Sequence, residues 1–108
     1  MSEVKVYFLE NTELAEYEAV NKGFRNDVYV KLADGLFNVV VYDSVRLQQD
    51  FESEVENYGF YSIDPNLILV SEVNKEEIVF VIENLYRQKY FEKIKPVSDS
   101  ELSKYFGR

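Results

Sequence analysis

Asp34-Gly35 stands between two stretches, 26–33 and 36–42, in which β-branched, aromatic and aliphatic residues recur at every second position. Aspartate followed by glycine suits the left-handed angles of a two-residue type I′ turn, whose twist matches that of the strands it joins. Such a turn sets the pairing of everything around it. Leu32 is expected beside Phe37, Val30 beside Val39 and Val28 beside Val41, all on one face. The other face pairs Lys31 with Asn38 and Tyr29 with Val40. Apolar against apolar along one face is what a half-buried sheet requires. The chain is therefore built around a β-hairpin that needs a covering layer.

The flanking pattern supplies the rest. Residues 4–9 predict a strand, with Val4, Val6 and Phe8 alternating with Lys5, Tyr7 and Leu9. Residues 12–21 carry Leu14, Tyr17 and Val20 between a capping Thr12 and Gly23, which fits a helix; their acidity fits a loop equally well. After the hairpin, Ser44 offers a cap, Leu47, Phe51, Val55 and Tyr58 recur at helical spacing, and Gly59 supplies a stop. Asp64-Pro65-Asn66 reads as a turn, and Leu67-Ile68-Leu69-Val70 as a strand covered on both faces. Asn74 caps a further helix whose buried stripe is Ile78, Val81, Ile82 and Leu85. Beyond Pro96, Ser98-Asp99-Ser100-Glu101 is a capping box for a short last helix that docks through Leu102, Tyr105 and Phe106.

These elements predict an α+β fold: a small, mainly antiparallel sheet with a central β-hairpin and helices packed on one face. With a helix at 12–21 the order is the βαββαβ of a ferredoxin-like sheet plus a short C-terminal helix; with a loop there, a smaller sheet remains. No repeat, low-complexity tract or linker divides the 108 residues, so one domain spanning 1–108 is expected.

The residue types present narrow the chemistry. Histidine is absent, which removes the usual base near neutral pH, the Ser-His-Asp arrangement and the commonest zinc ligand. Cysteine is absent too, and with it thiol catalysis, iron–sulfur ligation and disulfides. Gly23, Gly35, Gly59 and Gly107 stand singly, so no phosphate-cradling loop is visible, and no acidic spacing matches a calcium loop. The expectation is a protein without catalytic residues, cofactor or metal; an enzyme working through carboxylates is the remaining catalytic alternative. No apolar run approaches the length of a membrane span and the N-terminus, with Glu3, does not read as a secretory signal. A reducing cytoplasm fits a chain without cysteine.

Twenty acidic residues against 12 basic ones leave a formal charge of −8. That balance argues against nucleic acid and anionic membranes as partners; it would attract a basic protein, or it serves only to keep the chain soluble. Asp50, Glu52, Glu54 and Glu56 form two i,i+4 pairs on the second helix, opposite Leu47, Phe51 and Val55. They are either a solvated face or a ridge that meets a basic cleft on a protein partner. Tyr86 and Tyr90, with Val79, form a flank on the third helix suited to an interface, either with that partner or with a second copy in a homodimer. Phe80 and Phe91 lie near its back, where the last helix is expected to cover them.

From the hairpin onward the chain resembles the immunity protein 8 family of bacterial polymorphic-toxin immunity proteins. The resemblance is carried by Phe37-Asn38-Val39-Val40-Val41, the helix start with Leu47, Leu67-Ile68-Leu69-Val70, the helix with Ile78, Ile82 and Leu85, and the closing Leu102-Ser103-Lys104-Tyr105-Phe106. It implies a cytoplasmic protein that covers a toxin domain and blocks it, with no catalysis of its own.

Overall fold

The structure, a computed structural model, describes residues 4–33 and 35–97. Along the chain run β1 (Lys5–Phe8), α1 (Glu13–Lys22), β2 (Phe24–Leu32), β3 (Gly35–Tyr42), α2 (Ser44–Tyr58), β4 (Leu67–Leu69), α3 (Lys75–Arg87) and a 3-10 turn at Tyr90–Glu92. One sheet is formed in the order β1-β2-β3-β4; the first three strands are antiparallel and β4 joins β3 in parallel. The fold is α+β with the β2–β3 hairpin at its centre. The acidic stretch after β1 is a helix: Thr12 accepts from the Ala15 N–H at 3.0 Å, and Gly23, at φ 71°, donates to the Ala19 carbonyl. A ferredoxin-like sheet would separate β1 and β2 by another strand and run them parallel. Here they are antiparallel neighbours, and the one parallel crossover is α2, between β3 and β4.

The hairpin pairs differently from expectation. Leu32 lies opposite Gly35, Val30 opposite Phe37 and Val28 opposite Val39, two residues from the register a turn at Asp34-Gly35 would set. Asp34 itself lies outside the described residues. Gly35 enters the strand, where a Cβ would come 3.3 Å from Pro96 Cβ, and the next residue, Leu36, accepts from the Val97 N–H at 2.8 Å. Because the slip is an even number of residues, the same side chains still face the core. A bulge then breaks the alternation: Asn26 and Asp27 together oppose Val40, so that Arg25, not Val28, pairs with Val41.

One hydrophobic cluster holds these elements together. Val28, Val30, Phe37, Val39, Val41 and Ile68 supply the sheet side, and Ala19, Ile78, Ile82 and Phe91 cover it. The stripe expected on α3 is therefore buried, with Val81 and Leu85 at its margin. Three helix starts are capped by side chains, Thr12, Asp43 and Asn74, each worth about 1 kcal/mol. The α2 cap is Asp43, and Ser44 is the first helical residue.

Three expectations about buried faces need correcting. In α1 the inward side is Ala15, Glu16, Ala19 and Val20, while Leu14 and Tyr17 are exposed. Glu16 has to reach Arg25 and the start of α3, and small Ala19 lets the helix close on the sheet. In β4 only Ile68 faces the core, and Leu69 is exposed. Finally, the helices do not share one face of the sheet. α1 and α3 cover the core, whereas α2 contributes nothing to it and meets the sheet at Tyr42, whose side chain alternates away from Val41. The capping box at 98–101 and the apolar Leu102, Tyr105 and Phe106 lie outside the described residues.

Candidate recognition surface

α2 is held to the sheet by polar and aromatic contacts. At the end of β3 the Tyr42 hydroxyl donates to Asp50 Oδ2 at 2.5 Å, and Arg46 Nε donates to Asp50 Oδ1 at 3.2 Å. The Arg46 guanidinium lies over the rings of Phe24, at 4.5 Å, and Tyr42, at 5.5 Å, which themselves meet edge to face. Burial, and then the hydrogen bond to Asp50 and its charge, push the Tyr42 hydroxyl far above the usual tyrosine range. Tyr61 is raised too, first by burial and then by the Asp50 charge. Asp50 thus anchors the helix and is not free for a partner.

The four acids accordingly divide. Asp50 and the half-buried Glu54 lie on the sheet side; Glu52 and Glu56 are exposed, Glu52 accepting from Gln48 at 3.0 Å. They do not form one ridge. Asp50–Glu54 and Glu52–Glu56 are like-charged i,i+4 pairs, each unfavourable by roughly 0.2–0.5 kcal/mol. Glu56 also sits in the last turn, where the helix dipole disfavours an anion by about 0.3–1 kcal/mol and no basic residue compensates. Arg46 is the single cation of α2, and it is committed to Asp50.

Turning the polar side inward leaves most of the apolar stripe outside, with Leu47 alone half-buried. α2 has no buried residue. Phe51 is 52% exposed and Tyr58 69%, with Val55 between them, and the loop that follows adds Phe60 at 65% and Ile63 at 56%. At about 100° per residue, Phe51, Val55 and Tyr58 fall within roughly 60° of one another, and Glu52 and Glu56 flank them on the side away from the sheet. By contrast, α3 has a similarly spaced stripe and buries Ile78 and Ile82.

The tyrosine flank is not assembled. α3 ends at Arg87, and Lys89, with φ 65°, turns the chain before Tyr90. Tyr90 packs edge to face on Phe91 at 5.1 Å and donates to the Pro65 carbonyl at 2.8 Å, so it is a structural residue. Tyr86 is partly exposed beside a cleft that it lines with Leu32, Lys89 and Phe91. Phe91 is buried against Phe37, at 5.3 Å, whereas Phe80 is exposed.

A second polar cluster was not anticipated from sequence. The bulge turns Arg25 to the core side, where it is 4% exposed. Its Nε donates to Asp27 Oδ1 at 2.6 Å, one terminal nitrogen to Glu16 Oε1 at 3.2 Å, and the other to the Glu10 carbonyl at 2.6 Å. The Phe8 ring lies 4.7 Å from the guanidinium carbon. The second Glu16 oxygen accepts from the Lys75 N–H, at the start of α3. Burial works to raise the Asp27 pKa, but the Arg25 and Glu10 hydrogen bonds and the Arg25 charge outweigh it and hold the carboxyl below its ordinary value. One arginine therefore ties α1, β1, β2 and α3 together, and its donors are spent on that role. The sequence signal was a charged pair, Arg25 and Asp27, close together in one strand.

Among the described residues, no three acidic side chains converge to hold a metal, and no helix is long and apolar enough to cross a membrane. No protein-family model matches this chain, no curated protein matches it, and no solved structure matches it.

Proposed function

We propose that this chain is a non-enzymatic protein-binding domain, of the kind an immunity protein uses to neutralise a bacterial toxin domain by covering it. The observation that carries this reading is the outward-facing apolar stripe of α2. A helix that folds for its own domain's sake buries its apolar face, since a fully buried Leu, Val or Phe gains about 1.5–3 kcal/mol. α2 leaves Phe51, Val55 and Tyr58 in solvent. Apolar side chains gathered on one exposed element mark interaction surfaces. The charge of −8 selects a basic partner and speeds its approach. The resemblance of the second two-thirds to toxin-immunity proteins, and a cytoplasmic location, belong to the same reading. Self-association through the tyrosine flank is disfavoured, because Tyr90 is committed to the Pro65 carbonyl.

The test is co-expression with the product of the adjacent open reading frame. Protection of cells from that product, with co-purification of the two chains, is the expected result. A toxic neighbour that is neither bound nor neutralised would overturn the reading.

A further inference from the structure

Resting on that reading, we infer that the α2 face takes a cationic protein surface, with Phe51, Val55 and Tyr58 as the apolar floor and Glu52 and Glu56 as the side chains that read the partner's lysines and arginines. The charge layout carries the argument. Of the acids of α2 that point toward the sheet, Asp50 binds Tyr42 and Arg46, and Glu54 is half-buried. The two that point away border the apolar stripe and have no cation of the same helix beside them. They repel each other, and Glu56 also opposes the helix dipole, so the free helix carries unfavourable charge on the one side that meets solvent. An incoming basic group removes both penalties at once. A second copy of the same surface would add to them, which is why the face selects an opposite charge and not itself.

A partner of this chemistry is mimicked by an amphipathic helical peptide of leucine and lysine, with its leucine–glutamate counterpart as control. Binding of both to the full chain is measured by titration calorimetry at low and physiological salt. The lysine peptide is expected to bind and the glutamate peptide not to. Phe51→Ala/Tyr58→Ala should weaken binding at least tenfold, and Glu52→Gln/Glu56→Gln should weaken it and flatten its salt dependence. Glu13→Gln/Glu18→Gln, which removes two exposed acids from α1, should leave it unchanged. Equal losses from the α1 and α2 charge variants would make the binding non-specific attraction and overturn the inference. So would sedimentation showing a wild-type dimer that Phe51→Ala/Tyr58→Ala dissolves, which would make the face a self-interface. Tighter peptide binding by Leu102→Ser/Phe106→Ser would assign the face to residues 98–108 and overturn it as well. A toxin neighbour still neutralised by both α2 variants would sink this surface while leaving the protein-binding function standing.

Discussion

Replacing Arg25 by methionine tests the packing logic at its most stressed point. Methionine keeps much of the apolar volume of the arginine stem and deletes the guanidinium. The loss then comes from what the guanidinium held: Asp27, the Glu10 carbonyl and Glu16, which are left with one partner fewer. Removing one member of a buried pair typically costs about 3–5 kcal/mol. Asp27 is well shielded, but Glu16 is a third exposed and finds water, which places this substitution at the lower end, roughly 3 kcal/mol. Against a total of about 5–15 kcal/mol for a domain of this size, that is a large fraction. Urea denaturation reads it as a fall in the midpoint at unchanged slope. The same cluster sets a pH dependence. Asp27 has a lower pKa folded than unfolded, so its contribution is present above the unfolded value near 3.8 and is lost as pH falls through the folded one. Asp27→Asn removes that part of the acid-side decline. An Arg25→Met protein within 1 kcal/mol of wild type, or an unchanged acid profile in Asp27→Asn, would refute the cluster's structural role.

Other substitutions separate core, anchor and terminus. Ile82→Ala empties a fully buried position and should cost about 2–5 kcal/mol by urea denaturation. Tyr42→Phe removes the donor to Asp50 and should cost about 1 kcal/mol, with faster amide exchange confined to α2; ultraviolet titration of the wild type should show a late-ionising tyrosine that the variant lacks. Lys89→Gly places the residue that prefers left-handed angles at the end of α3 and should raise stability by roughly 1 kcal/mol in thermal melts.

The hairpin and the α3 stripe were legible because both rest on local periodicity, and their core residues agree with it. The hairpin's register was not: Gly35 lies in β3 opposite Leu32, close to Pro96, and does not serve as the second turn residue. Arg25 was invisible for a related reason: alternation puts Asn26 inside, and only the bulge reverses the two. In α2 the amphipathic pattern was plain, but periodicity does not say which side a helix offers its sheet. In the structure the side that carries Arg46 and Asp50 meets Tyr42 and Phe24, and Phe51, Val55 and Tyr58 face out. The acids were therefore identified as a group although only Glu52 and Glu56 are exposed. Tyr90 was placed on a helix that stops at Arg87, with no glycine or proline to announce the end.

The account stands on α2 being exposed for recognition, so the direct measurement compares two properties of Phe51→Ser/Tyr58→Ser. Its unfolding free energy should lie within about 0.5 kcal/mol of wild type, as for surface positions generally, while the proposed binding to a protein partner, read as protection of cells from the adjacent gene's product, is abolished. A variant that loses several kcal/mol of stability, or one that stays folded and protects cells as well as wild type, would contradict it.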